Sequence, residues 1–169
     1  TMEDLTIEGT ADFLQSNADV FMLLSEVEVG YGGKFQFTRS IEVTDAAISK
    51  LERSRQKYLE LIGKAESSAY VPEMIKALKK FNYRKLVESN RLNQQIMATV
   101  KGYLTKGDVR GLYKRHIESI DMILANLYDI RKQLREGNLP AIDSFWSLLH
   151  EYSEALLVGN YATMVFVNL

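Results

Sequence analysis

The clearest pattern along the chain is a stripe of apolar positions within residues 107–138. Its members follow one another at intervals of three or four residues: Leu112, His116, Ile120, Ile123, Leu127, Ile130 and Leu134. This spacing places every member on one face of an α-helix. Asp108 is suited to cap the start of that helix, and Gly137 with Asn138 to end it. The segment is therefore predicted to be a long amphipathic helix.

Comparable stripes predict four further helices. The first is expected to bury Leu14, Phe21 and Leu24. The second is expected to begin at a cap formed by Thr44 and Asp45, since short polar side chains satisfy the free N–H groups of a helix start. The predicted helices cover residues 4–27, 46–67, 72–104 and the segment after Pro140, whose stripe is Ile142, Phe145, Leu149, Tyr152 and Leu156 with Trp146 beside it.

Residues 28–43 interrupt this helical pattern. Apolar and polar residues alternate from Val27 to Tyr31, and the pair Gly32-Gly33 can adopt the positive φ of a tight hairpin turn. The alternative is a glycine cap that ends the first helix, followed by an extended link to Thr44. A phosphate-binding loop is excluded, because Phe35 stands where that motif needs Ser or Thr after Gly33-Lys34. An irregular or short β-hairpin insert is therefore predicted here.

Helices joined by short links indicate the fold class. The prediction is an all-α, elongated up-and-down helical bundle of four to five helices, forming a single domain over residues 1–169. A chain of 169 residues with 46% hydrophobic and 25% charged residues is long enough to bury such a core.

Composition excludes several classes of protein. The 21 basic and 22 acidic residues leave a net charge of −1, which gives no general attraction to nucleic acid. No run of eighteen apolar residues exists, so no membrane span is predicted within this chain. Absence of cysteine removes disulfides, thiolate metal sites and iron–sulfur clusters. The absence of cysteine and the presence of Thr1 before Met2 favour an exported or periplasmic protein, but they do not exclude the cytoplasm.

Sequence motifs for catalysis and metal binding are missing. Glu-x-x-His, His-Glu-x-x-His and Gly-x-Ser-x-Gly appear nowhere in the chain. These motifs are typical of di-metal carboxylate sites, zinc proteases and serine hydrolases respectively. No catalytic residue, no metal site and no enzymatic activity are predicted.

His116 is the one chemically active side chain within an apolar stripe. It is interpreted as a hydrogen-bonded histidine of the core or its boundary, and the alternative is a haem ligand inside the bundle. His150 cannot join it on one metal, because helix rise places the two histidines at heights that differ by roughly 16 Å.

Asn82 and Asn93 interrupt the apolar stripe of the predicted helix over residues 72–104. Buried amides need hydrogen-bonding partners, so they line a polar cavity or set helix register. Exposure of both amides to solvent is the plainer alternative, since the stripe of a long helix drifts. With His116, they are the candidate residues for binding a small ligand.

These observations predict a non-enzymatic module for protein interaction, including self-association, or for sensing a small-molecule ligand. Nine tyrosines favour a partner surface, because tyrosine is apolar in its body and polar at its tip. A four-helix bundle that binds haem or another cofactor is the alternative. For the interaction or sensing module, no cofactor, no nucleic-acid partner and no membrane span are expected.

Overall fold

The computed structural model describes the backbone of residues 2–32, 36–64 and 108–167, together with Ala98, Gly102, Tyr103 and Lys106. Side chains are described at 4–27, 36–64, 108 and 110–155 and at those four single positions. The described backbone forms four helices: α1 (Met2–Gly32), α2 (Phe37–Lys64), α3 (Val109–Arg135) and α4 (Ile142–Val167). No strand occurs among the described residues. The protein is all-α, as predicted.

The four helices form a closed ring of antiparallel neighbours. Packing joins α1 to α2, α2 to α3, α3 to α4 and α4 back to α1. Side chains near the start of α1 and α3 meet side chains near the end of α2 and α4, as Tyr58 does with Thr10 and His116. Each helix has 26 to 31 residues and is therefore about 40 to 46 Å long. The described helices therefore form an antiparallel helical bundle.

Charged pairs set the register between α1 and α2. Lys57 donates to Asp12 at 2.5 Å, and Lys50 donates to Asp19 at 2.6 Å. Arg39 and Glu26 form a third pair further along the same flank. α1 contains no basic residue, so every carboxylate on this flank finds its cation on α2. Such surface pairs stabilise little individually, but their repeated spacing favours one alignment of the two helices.

Gly9 lets the start of α1 approach α2 closely. The hydroxyl of Ser54 donates to the Gly9 carbonyl at 2.6 Å. A Cβ at this position would lie 3.1 Å from Cε2 of the Tyr58 ring, which is tighter than ordinary packing. Glycine therefore permits Tyr58 to cross beneath α1 into the core.

The predicted stripe of α3 is confirmed, since all seven of its members are buried. The predicted caps are confirmed as well. The Asp108 carboxylate accepts from the Gly111 N–H at 2.8 Å, and Gly137 ends the helix with a φ of 77°. The N–H of Gly137 donates to the Leu134 carbonyl, and the N–H of Asn138 donates to the Gln133 carbonyl. These bonds provide donors for two carbonyls of the last helical turn.

The predicted core face of α1 is wrong at two of its three positions. Leu24 is buried, but Leu14 and Phe21 are 45% and 54% exposed. Phe13, Val20, Leu23 and Val27 face the core instead. The physical reason is that α1 has apolar residues on two opposite sides, so spacing alone permits either side to face inward.

The insert predicted for residues 28–43 is not confirmed. α1 continues as helix to Gly32, and α2 already begins at Phe37, while residues 33–35 lie outside the described part of the chain. Thr44 does not cap α2, because its hydroxyl donates to the Ser40 carbonyl one turn earlier within the helix. Packing of Phe37, Ile41 and Val43 against the core overrides the local strand preference of this segment.

Two further expectations have partial outcomes. The predicted helix over residues 72–104 lies outside the described residues except at Ala98, Gly102 and Tyr103, which are helical. In α4, Phe145, Leu149 and Tyr152 are buried as predicted, whereas Ile142 is exposed. Within the described residues, no helix combines the length and apolar character needed to cross a membrane.

Replacement of Gly137 by alanine should lower the free energy of unfolding by about 1 kcal/mol, because an L side chain is strained at positive φ. Gly63→Ala is the matched control. Gly63 lies in helix α2 with open space around the added methyl, so alanine should leave stability unchanged or raise it slightly. Urea titration followed by circular dichroism measures both; equal midpoints for Gly137→Ala and the wild type would contradict the assigned turn.

Candidate functional sites

His116 lies in a layer of aromatic rings that joins all four helices. It is 2% exposed and meets the ring of Tyr58 edge-on at 4.4 Å between centroids. Phe13 of α1 lies 5.4 Å from His116 and 5.2 Å from Tyr152 of α4. Tyr113 adds a further ring at 5.9 Å from Tyr58. This aromatic layer lies in the half of the bundle at which α1 and α3 begin.

Neither ring nitrogen of His116 has a hydrogen-bond partner. A contact with the main-chain carbonyl of Ala155 slightly favours the charged form but falls short of hydrogen-bond geometry. Burial dominates and lowers the pKa of His116 to about 4, so the imidazole is neutral at neutral pH. The predicted core position of His116 is confirmed, and the predicted hydrogen bond is not present.

The buried phenols of the aromatic layer are also neutral. Burial raises the pKa of Tyr58 to about 12, and a hydrogen bond of 3.0 Å with Thr10 opposes that rise. Burial likewise raises the pKa values of Tyr113 and Tyr152 above their ordinary range. All three phenols are therefore neutral at neutral pH and serve in packing, and Tyr58 also forms a hydrogen bond.

A haem does not fit beside His116. The rings of Tyr58 and Phe13 already occupy the space against the imidazole, and a porphyrin would have to displace them. His150 is exposed on α4, so the two histidines do not face a common centre. No group of three or more His, Cys, Asp or Glu side chains suited to a metal occurs in the described part of the chain. Asn82 and Asn93 lie outside the described residues, so their predicted grouping with His116 is untested.

A groove between α2 and α3 is a second candidate site. Its volume is about 430 Å³, within the range of small-molecule sites. The lining residues come from the facing flanks of the two helices: Glu52, Arg55, Gln56, Asp121, Leu124, Ala125 and Tyr128. Sequence reasoning missed this groove, because its members are polar residues of two helices whose register only the packed structure shows.

Hydrogen bonds hold the charged groups of this groove in place. Arg55 donates to Asp121 at 2.6 Å through Nε and at 3.4 Å through Nη2, and this bond raises the pKa of Arg55. The Tyr128 hydroxyl donates to Glu52 at 2.5 Å, which raises the pKa of Tyr128. The guanidinium of Arg131 lies 5.3 Å from the centre of the Tyr128 ring. Both signs of charge are thus fixed around one opening.

The third candidate is an exposed apolar surface on α1, here called the α1 face. It consists of Ile7, Leu14, Phe21 and Met22, with Ala11 and Ala18 between them, and all six are exposed. The carboxylates of α1 that pair with α2 lie on a different flank of the helix. The six residues themselves are apolar, and the exposed carboxylates of Asp4 and Glu8 lie at the N-terminal end of the α1 face.

Two residues of α4 extend the α1 face. Trp146 is 58% exposed, and Ile142 is exposed one turn before it. The contact of Phe13 with Tyr152 sets an antiparallel register that brings Ile142 and Trp146 to the height of Phe21. Large exposed apolar side chains gathered on one side are typical of protein–protein interfaces.

A sequence signal for the α1 face was present. Ile7, Leu14 and Phe21 recur at intervals of seven residues, and the prediction assigned two of them to the core. Phe13, Val20 and Val27 recur at the same interval. Two heptad stripes on one helix indicate two packed faces, and the four described helices account for only one of them.

Comparison with known proteins identifies no relative. No family model, no curated protein and no solved structure matches this chain. The function is therefore inferred from the geometry of the three candidate sites.

His116 should make the protein less stable in acid. The folded pKa of about 4 lies below the unfolded value of roughly 6.5, so the unfolded chain binds the proton first. The free energy of unfolding is therefore highest above pH 6.5, where His116 is neutral in both states. It falls by at most about 3 kcal/mol as the pH drops toward 4. Urea unfolding between these pH values should show a shallower loss for His116→Leu than for the wild type.

His150→Gln is the control for this measurement, since it removes the exposed histidine and leaves the aromatic layer intact. It should follow the wild-type pH profile. If His116→Leu and His150→Gln give the same slope as the wild type, then His116 is not protonated preferentially on unfolding.

Proposed function

We propose that this protein is a non-enzymatic interaction module that pairs with a second copy of itself through the α1 face. The observation that carries the proposal is the uncharged, heptad-spaced apolar stripe left exposed on α1. An apolar surface of this regularity is costly in water, and pairing removes it from solvent.

The residue pattern of the α1 face suits another helix. Ile7, Leu14 and Phe21 provide large side chains every seven residues, while Ala11 and Ala18 leave small gaps between them. Large side chains of one helix fit into the gaps of a facing helix when both have this repeat. A second α1 supplies the same repeat, and a two-fold axis brings each large residue against a gap of its partner.

Charge favours a second copy over a charged partner. Asp12, Asp19 and Glu26 of α1 are already paired with cations of α2. These three carboxylates are therefore already neutralised when two copies of α1 approach each other. A charged partner segment would lose hydration against this face and gain no ion pair from it.

Trp146 and Ile142 support a two-helix contact surface. They place an exposed large aromatic and an exposed β-branched side chain at the height of Phe21. Exposed tryptophan contributes strongly to binding when a partner desolvates it. The proposed interface therefore consists of α1 with the adjacent start of α4.

Phe21→Glu should weaken self-association by about tenfold or more, because pairing would bury its carboxylate in an apolar seam. Leu14→Glu should act in the same direction. Sedimentation velocity over a concentration series measures the dimer–monomer balance. Met122→Glu is the matched control, since Met122 is 55% exposed on α3, away from the α1 face.

The wild type and Met122→Glu are expected to be dimers under conditions in which Phe21→Glu is a monomer. A wild type that stays monomeric at its highest soluble concentration would refute self-association. If Phe21→Glu then lowered the unfolding midpoint more than Met122→Glu, the α1 face would stabilise the single chain and would not act in pairing.

A further inference from the structure

We propose that the groove between α2 and α3 binds a small zwitterion that carries an ammonium and a carboxylate on the same carbon, as a free α-amino acid does. The groove belongs to the side of the bundle formed by α2 and α3. α1 and α4 contribute none of its lining residues, so pairing through the α1 face leaves it open.

The volume and floor of the groove suit a ligand of this size. About 430 Å³ accommodates a small molecule with an apolar substituent. Leu124, which is buried, and Ala125 provide apolar surface beneath the charged rim. The side chain of an amino acid would pack there, beside the half-exposed ring of Tyr128.

The charges of the rim match a zwitterion better than a single ion. Glu52 and Asp121 contribute two carboxylates, and Arg55 contributes one guanidinium, which is paired with Asp121. A simple anion would meet both carboxylates, and a simple amine would meet the guanidinium. A ligand with both charges satisfies both signs at once, its ammonium at the carboxylates and its carboxylate at Arg55.

Arg55 has the geometry to hold a second carboxylate. Its Nε and Nη2 are engaged with Asp121. The planar guanidinium has a further amino group, Nη1, whose N–H donors point along another edge. The bond to Asp121 fixes the orientation of this donor edge before any ligand arrives, which reduces the entropy cost of binding.

The acidic side of the groove is equally preorganised. Glu52 accepts from Tyr128 through one oxygen, Oε1, which leaves the second oxygen for an ammonium group. Arg131 covers one face of the Tyr128 ring and holds it in position. Gln56, one turn after Glu52, adds an amide at the same rim.

Isothermal titration calorimetry on the full chain tests this site with L-leucine, L-phenylalanine and L-glutamine. At least one should bind saturably with a single site per chain. The two halves of leucine, 3-methylbutylamine and 4-methylpentanoate, should each bind about tenfold more weakly than the intact zwitterion or worse. Absence of binding by all three amino acids, or equal binding by either half, would overturn the proposal.

Variants locate the site. Arg55→Gln should weaken binding of the amino acid by about tenfold while leaving the amine unaffected. Arg55→Lys keeps the positive charge opposite Asp121 and should give an intermediate loss, which separates lost binding from lost folding. Arg53→Gln, on the same helix but outside the lining, is the matched control. Unchanged affinity in both Arg55 variants would place the ligand elsewhere.

Discussion

The ring of Tyr58 lies where three of the four helices meet. It passes beneath Gly9, shares a hydrogen bond with Thr10, and contacts Tyr113 and His116 of α3. Phe13 continues this packing to Tyr152 of α4. Because these contacts lie at one height, they fix the alignment of all four helices, and with it the exposed flanks from which both proposed surfaces are built.

Packing around Tyr58 also determines which side of α1 faces water. Phe13 must point inward to meet His116 and Tyr152, which rotates Leu14 and Phe21 outward. The helix is then apolar toward the core and apolar toward solvent, with its paired carboxylates on the α2 flank. Within the described bundle, this leaves the outer side of α1 apolar and exposed.

Polar contacts between neighbouring helices serve different purposes on the two sides of α2. Toward α1, Lys50 and Lys57 meet carboxylates directly and align the helices. Toward α3, Arg55 and Glu52 line an open groove, and hydrogen bonds to Asp121 and Tyr128 hold them there. Charged side chains thus close the interface between α1 and α2, whereas they line an accessible groove between α2 and α3.

Local signals in the sequence determined the class of the fold and much of α3. Its apolar period, the Asp108 cap and the Gly137 turn depend on neighbours within a few residues, so the amino-acid order specifies them. The tertiary structure decided the inward side of α1, the helix across Val27–Gly32, the environment of His116 and the existence of the α2/α3 groove. Periodicity gives the angular spacing of apolar residues but not the direction of the partner that buries them, and long-range packing supplies that direction.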